Sequence, residues 1–228
     1  AKSISAVIPT HANKGVTITD PTSSQKSSLI PKFRLASGKQ NGGHVVYPLS
    51  NNTGWLVYSV QAIGVKEDIV LTRSNSDSQT FKYSLKIDKS LEARLEKDGS
   101  IGVYGNTLLS GDITTATEKD AALLQKARQN ADKNTLIFRI PKPVVYEYGK
   151  QTTGVSTRYK LKGSEIQLEV DNLSRATYPL TIDPSIYVAS AEQFMAGNNE
   201  TNIDFDVANT LIKKGSTTGA RFDAWNAT

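Results

Sequence analysis

Asn202, Asp204 and Asp206 place oxygen-bearing side chains at i, i+2 and i+4, with Glu200 close by. In a strand, those three side chains share one face. Oxygen donors grouped in this way suit calcium. Two features oppose that reading. Val207 stands where a calcium-binding loop needs glycine at its sixth position, and Ile203, Phe205 and Val207 fit the buried face of a strand. A solvated acidic strand face is therefore the leading reading, with calcium at Asn202, Asp204 and Asp206 as the alternative. No other cofactor is expected.

The remaining chemistry is sparse. His11 and His44 are the only histidines and Cys is absent, so a histidine- or thiolate-based metal cluster, a disulfide framework and a thiol nucleophile are all excluded. No Ser-His-Asp set can be singled out, and two lone histidines read as surface or turn residues. Gly38 to Gly43 lacks the Lys-Ser/Thr ending of a phosphate-binding loop and reads as a flexible turn. Trp55, Tyr58, Tyr146, Tyr148 and Tyr159 would form a sugar-stacking platform if they shared an exposed face. Alternating aromatics in strands are more often core or cross-strand pairs. No acid, base or nucleophile is assigned, and the chain is read as not an enzyme.

The elements that must carry these residues are strands. With 228 residues the chain can bury a core without staples. Its 27 Lys and Arg against 22 Asp and Glu are mixed along the chain, which gives no basic tail for nucleic acid. No apolar run reaches the roughly 18 residues of a spanning helix. Ala1-Lys2-Ser3 has no apolar run behind it, so an extracellular location is expected after removal of a leader.

Residues 1–43 read as an N-terminal arm or edge strands, with short apolar runs broken by Pro9, Gly15 and Pro21. From 44 to 185 the strand signals are dense. Phe81, Tyr83, Leu85 and Ile87 alternate with Lys82, Ser84 and Lys86, the period of a sheet with one buried face. Asp98-Gly99 and Gly163-Ser164 mark hairpins. Thr117 to Asp120 is a variant capping box that opens a helix to about Ala131. Its stripe of Leu124, Ala127 and Ala131 would pack on a sheet. Pro179 and Pro184 would confine the last strand of this region to an edge. Residues 186–228 read as an extension toward a further domain or partner. The fold expected is an all-β antiparallel sandwich, or two in tandem, with one inserted α-helix.

An ordered series of segments carries a resemblance. It runs from Lys66-Glu67-Asp68-Ile69-Val70-Leu71 and Phe81-Lys82-Tyr83-Ser84-Leu85 to Leu95-Glu96-Lys97-Asp98-Gly99-Ser100-Ile101. Phe138 to Tyr146 follows, and Tyr178-Pro179-Leu180-Thr181-Ile182-Asp183-Pro184 closes it. The series resembles a β-rich module of large secreted bacterial surface proteins with DNRLRE-type wall domains, RHS or YD repeats, or SBBP-type repeats. The resemblance implies a non-catalytic structural or adhesive role at the cell surface. Its expected partners are neighbouring domains, other copies, cell-surface glycans or a host surface. Two other roles are carried alongside. One is a filament or virion subunit assembled through the N-terminal arm, by strand addition to a neighbour. The other is a carbohydrate-binding module.

Overall fold

Alternation sends successive side chains of a strand to opposite sides, so a half-apolar strand needs a second layer over its apolar side. The computed structural model describes residues 4–109, 113–147, 150–151 and 154–189, and supplies that layer as two antiparallel sheets over one continuous core. In chain order the strands begin with β1 (Ser5–Val7), β2 (Val16–Thr19), β3 (Lys26–Pro31), β4 (Lys39–Asn41) and β5 (His44–Pro48). β6 (Gly54–Val60), β7 (Gly64–Leu71), β8 (Ser78–Ile87), β9 (Glu92–Leu95) and β10 (Ile101–Gly105) follow. Helix α1 (Glu118–Asn130) separates these from β11 (Thr135–Ile140), β12 (Val144–Glu147), β13 (Lys150–Gln151) and β14 (Ser156–Lys162). β15 (Glu165–Asp171), β16 (Leu180–Asp183) and β17 (Ile186–Val188) come last. The chain is an all-β sandwich with one inserted helix.

The smaller sheet runs β1-β2-β3-β8-β15-β14. Phe81, Tyr83 and Leu85 of β8 turn inward as their alternation requires, beside Ile166, Leu168 and Val170 of β15. The N-terminal arm or edge strands expected over residues 1–43 include β1, β2 and β3, which form one end of the smaller sheet. β2 and β3 pair with each other, and β3 pairs with β8. Val16 and Ile18 are only 2% and 1% exposed. The run Val16-Thr17-Ile18 is short, but its period of two suffices to bury two branched side chains once β3 lies alongside.

The larger sheet has a branched order. β7 pairs with β6 along one side, with β16 and β17 in succession along the other, and β4-β5-β6 forms a meander. β16 and β17 share one register against β7: Ile182 faces Ile69 and Ile186 faces Val65. The break at Pro184 is thus a jog within one strand line. The Ser185 hydroxyl there accepts a 3.0 Å bond from the Glu67 backbone N–H. At the jog the line changes its outer neighbour from β12 to β11. The edge-strand expectation for Leu180 to Asp183 is therefore corrected, since β16 lies between β12 and β7. The prolines flank its ladder rather than interrupting it. Gly42 (φ 58°) turns the β4–β5 hairpin, so the stretch read as a flexible turn is partly strand.

The helix differs from expectation in its packing. Thr117 caps it by accepting a 3.1 Å bond from the Asp120 N–H, but none of its residues is buried and Ala127 is exposed. A stripe of one leucine and two alanines offers too little apolar area to hold a helix against a sheet. α1 is instead tied through backbone carbonyls: Asn106 Nδ2 donates to the Arg128 carbonyl at 2.5 Å, and Arg128 Nε donates to that of Leu108. Replacing residues 117–131 with a short Gly-Ser linker is expected to lower stability by only about 1–3 kcal/mol, the worth of the two lost hydrogen bonds. Urea unfolding of the two proteins side by side measures this.

Candidate functional site

Asn202, Asp204 and Asp206 lie outside the described residues, and so does Tyr148. His11 and His44 are both exposed, and His11 Nδ1 meets the Ser37 hydroxyl at 3.2 Å. Among the described residues, no three His, Asp or Glu side chains cluster as metal ligands. The aromatic platform divides between two faces. Tyr58 (1% exposed) and Tyr159 (5%) point into the core, while Trp55 (41%) faces solvent on the larger sheet. Tyr146 shares Trp55's register line, with Val70 and Thr181 between them on β7 and β16. Neighbouring strands are about 4.8 Å apart, so three steps part the two rings by roughly 14 Å.

Among the described residues, the carboxyl group buried deepest is that of Glu67. On β7 its side chain falls on the core-facing parity with Val65, Ile69 and Leu71, and it is almost fully enclosed. Tyr83 of the smaller sheet donates its hydroxyl proton to Glu67 Oε1, and this bond crosses the sandwich. Tyr58 lies directly opposite Glu67 on β6. Glu67 Oε2 and the hydroxyls of Tyr58 and Tyr159 have no well-formed hydrogen bond among the described residues. Burial pushes the Glu67 carboxyl up to about 8, against the pull of the neighbouring tyrosine hydroxyls. Burial and the adjacent carboxyl also raise Tyr58, Tyr83 and Tyr159 well above the ordinary tyrosine range. This cluster is sealed from solvent and ties sheet to sheet.

The outer face of the larger sheet holds a different arrangement, an open cavity of about 460 Å³ beside the β9–β10 hairpin. Two local features build it. Asp98 takes bonds from the Ser100 backbone N–H (2.8 Å) and hydroxyl (2.6 Å), and Gly99 has φ 87°, which together fold the turn tightly. On β11 a bulge then interrupts the ladder, with Val103 facing Phe138 but Tyr104 facing Leu136. The bulge lets Ile137 and Phe138 both turn inward, and it leaves Leu136 and Arg139 together on the outside. Between them Gly102 has no side chain. A Cβ there would meet the Tyr104 ring at 2.5 Å and Leu136 at 3.1 Å.

The cavity's charges are held in place. Arg139 pairs with Asp98 at 2.9 Å, and Arg94 lies 4.8 Å from the centre of the Tyr104 ring. The Tyr104 hydroxyl is raised by partial burial and by the negative charge of the nearby Glu96 carboxylate. The hydrogen bonds from Ser100, with Arg139 nearby, hold Asp98 below the usual carboxylate range. The outcome is a fixed set of donors and acceptors beside a small apolar wall, which suits binding. Lone Asp-Gly and Leu-Ile-Phe-Arg segments carry no signal for such a site.

The architecture defines an antiparallel β-sandwich. No family model matches the chain, and no curated protein matches it in sequence.

Proposed function

We propose that this chain is a non-catalytic structural or adhesive module of an extracellular bacterial surface protein. The placing of its polar side chains carries the reading. Buried ones such as Glu67, Tyr83 and Ser185 tie the chain to itself, whereas those around the outer cavity are held rigid and open to solvent. The rest of the surface is laced with exposed ion pairs, including Arg158 with Glu169 and Asp171. Such pairs add little stability singly but keep a surface soluble. The resemblance of Lys66 to Pro184 to modules of large secreted bacterial proteins belongs to the same proposal. Assembly through the N-terminal arm is less favoured, because β2 and β3 are spent in the chain's own sheet.

Beads coated with the purified chain are expected to retain isolated bacterial cell walls or host cells more than beads coated with albumin. Chromogenic ester, glycoside and peptide substrates are expected to show no turnover. Steady turnover abolished by a single side-chain substitution would overturn the reading.

A further inference from the structure

The geometry points to the outer cavity between the β9–β10 hairpin and β11 as a binding site for one neutral saccharide ring. This deepens the adhesive reading above and rests on it.

The first support is that the cavity is built by a break in regular structure. A continuous ladder through β10 and β11 would alternate Leu136, Phe138 and Ile140 against Ile137 and Arg139. The bulge at Ile137 overrides that order and sets Leu136 and Arg139 on one side, next to Tyr104. Bulges commonly re-aim side chains in this way beside binding sites. Gly102 keeps the floor low, since any side chain there would run into Tyr104 and Leu136. The volume of about 460 Å³ falls within the ~300–1,000 Å³ range of small-molecule sites.

The second support is the balance of the lining. Glu96 and Asp98 contribute two negative charges, and Lys97 and Arg139 two positive ones. No net charge selects a cation or an anion. A simple anion would have to compete with Asp98 for Arg139, at the cost of an existing 2.9 Å pair. A sugar breaks nothing. Its hydroxyls donate to Glu96 and Asp98 and accept from Arg139 and Lys97, using lone pairs and N–H groups that the ion pair leaves over. Its C–H edge lies against Leu136. The Asp98–Arg139 pair and the Arg94–Tyr104 contact limit side-chain ordering on binding.

The test is a titration of the ¹⁵N-labelled chain with the methyl glycosides of glucose, galactose, mannose and N-acetylglucosamine. Glucuronate and glycine serve as anionic and zwitterionic comparisons. At least one neutral glycoside should shift the backbone amides of Gly102, Tyr104 and Leu136 saturably, with a Kd on the order of 1 mM, ordinary for one ring in an open site. Arg139→Met and Glu96→Gln should each weaken that binding about tenfold without moving Tm. Glu96→Gln keeps the side chain's size, so it serves even if the strand substitution perturbs folding. Shifts from glucuronate or glycine with none from neutral glycosides would overturn the assignment in favour of a charged ligand. Shifts from none of the probes would overturn it outright, as would neutral-glycoside shifts unchanged in both variants. Cell-wall retention is measured separately, so loss of the saccharide site and loss of the adhesive reading give different results.

Discussion

A chain lacking residues 1–28 is expected to lose its cooperative unfolding transition. The deletion takes away β1, β2 and the first half of β3, and with them Ala12, Val16 and Ile18 of the core. Fully burying side chains like the last two is worth about 1.5–3 kcal/mol each. Their loss also uncovers Leu29 and Leu85 on the partner strands. The remnant of β3 would keep too few ladder bonds to shield β8, whose edge would then be open to other chains. The total exceeds about 5 kcal/mol, a large fraction of the 5–15 kcal/mol that holds a typical domain together. Thermal melts followed by circular dichroism, with dye binding to exposed apolar surface, measure it. A truncated chain that melts at the wild-type temperature would mean that the N-terminal strands are dispensable. It would return them to the role of an arm available to a neighbour.

How much of this fold is legible in the sequence turns on what one chain segment can reveal about another. β8 is fully legible: Phe81, Tyr83, Leu85 and Ile87 alternate cleanly, and both hairpins after Asp98 and Gly163 form where their turn residues stand. The N-terminal strands are visible as apolar runs, but their destination is not. Whether Val16 and Ile18 bury depends on β3 and β8, which no local pattern can report. Pro184 misleads for a related reason. It interrupts the backbone ladder at the jog, and there the Ser185 hydroxyl takes the place of a backbone acceptor for the Glu67 N–H, so the strand line continues. The outer cavity is hidden because Leu136, Ile137 and Phe138 are all apolar, and such a run conceals where the alternation slips. Glu67 is open to notice. It falls on the same parity as Val65, Ile69 and Leu71, and a carboxyl on the buried side of an otherwise apolar strand asks for partners.

Glu67 should make this fold lose stability as the solution becomes more alkaline across the neutral range. Its carboxyl titrates near 4.5 in an unfolded chain and is pushed up to about 8 inside the sandwich. Between those values the folded protein keeps a proton that the unfolded chain releases. The contribution of the neutral carboxyl is therefore fully present below about pH 4.5, and it fades as pH rises through about 8. The limiting slope is about 1.4 kcal/mol per pH unit. The carboxylates held below their ordinary range, such as Asp77 and Asp98, act oppositely. Their contribution is lost only as pH falls through the acid range, so they leave the window from pH 5 to 8 clear. Glu67→Gln isolates the effect. The amide carries no titrating proton, its carbonyl still accepts from Tyr83, and its NH₂ faces the neighbouring tyrosine hydroxyl oxygens. Urea unfolding at pH 5, 6.5 and 8 should give a falling stability for the wild type and a nearly level one for the variant, with the gap widest at pH 8. Parallel profiles would mean that Glu67 is ionised in the folded core at neutral pH. The bond from Tyr83 would then be a charge-assisted tie between the sheets, and the variant would be the less stable protein at every pH.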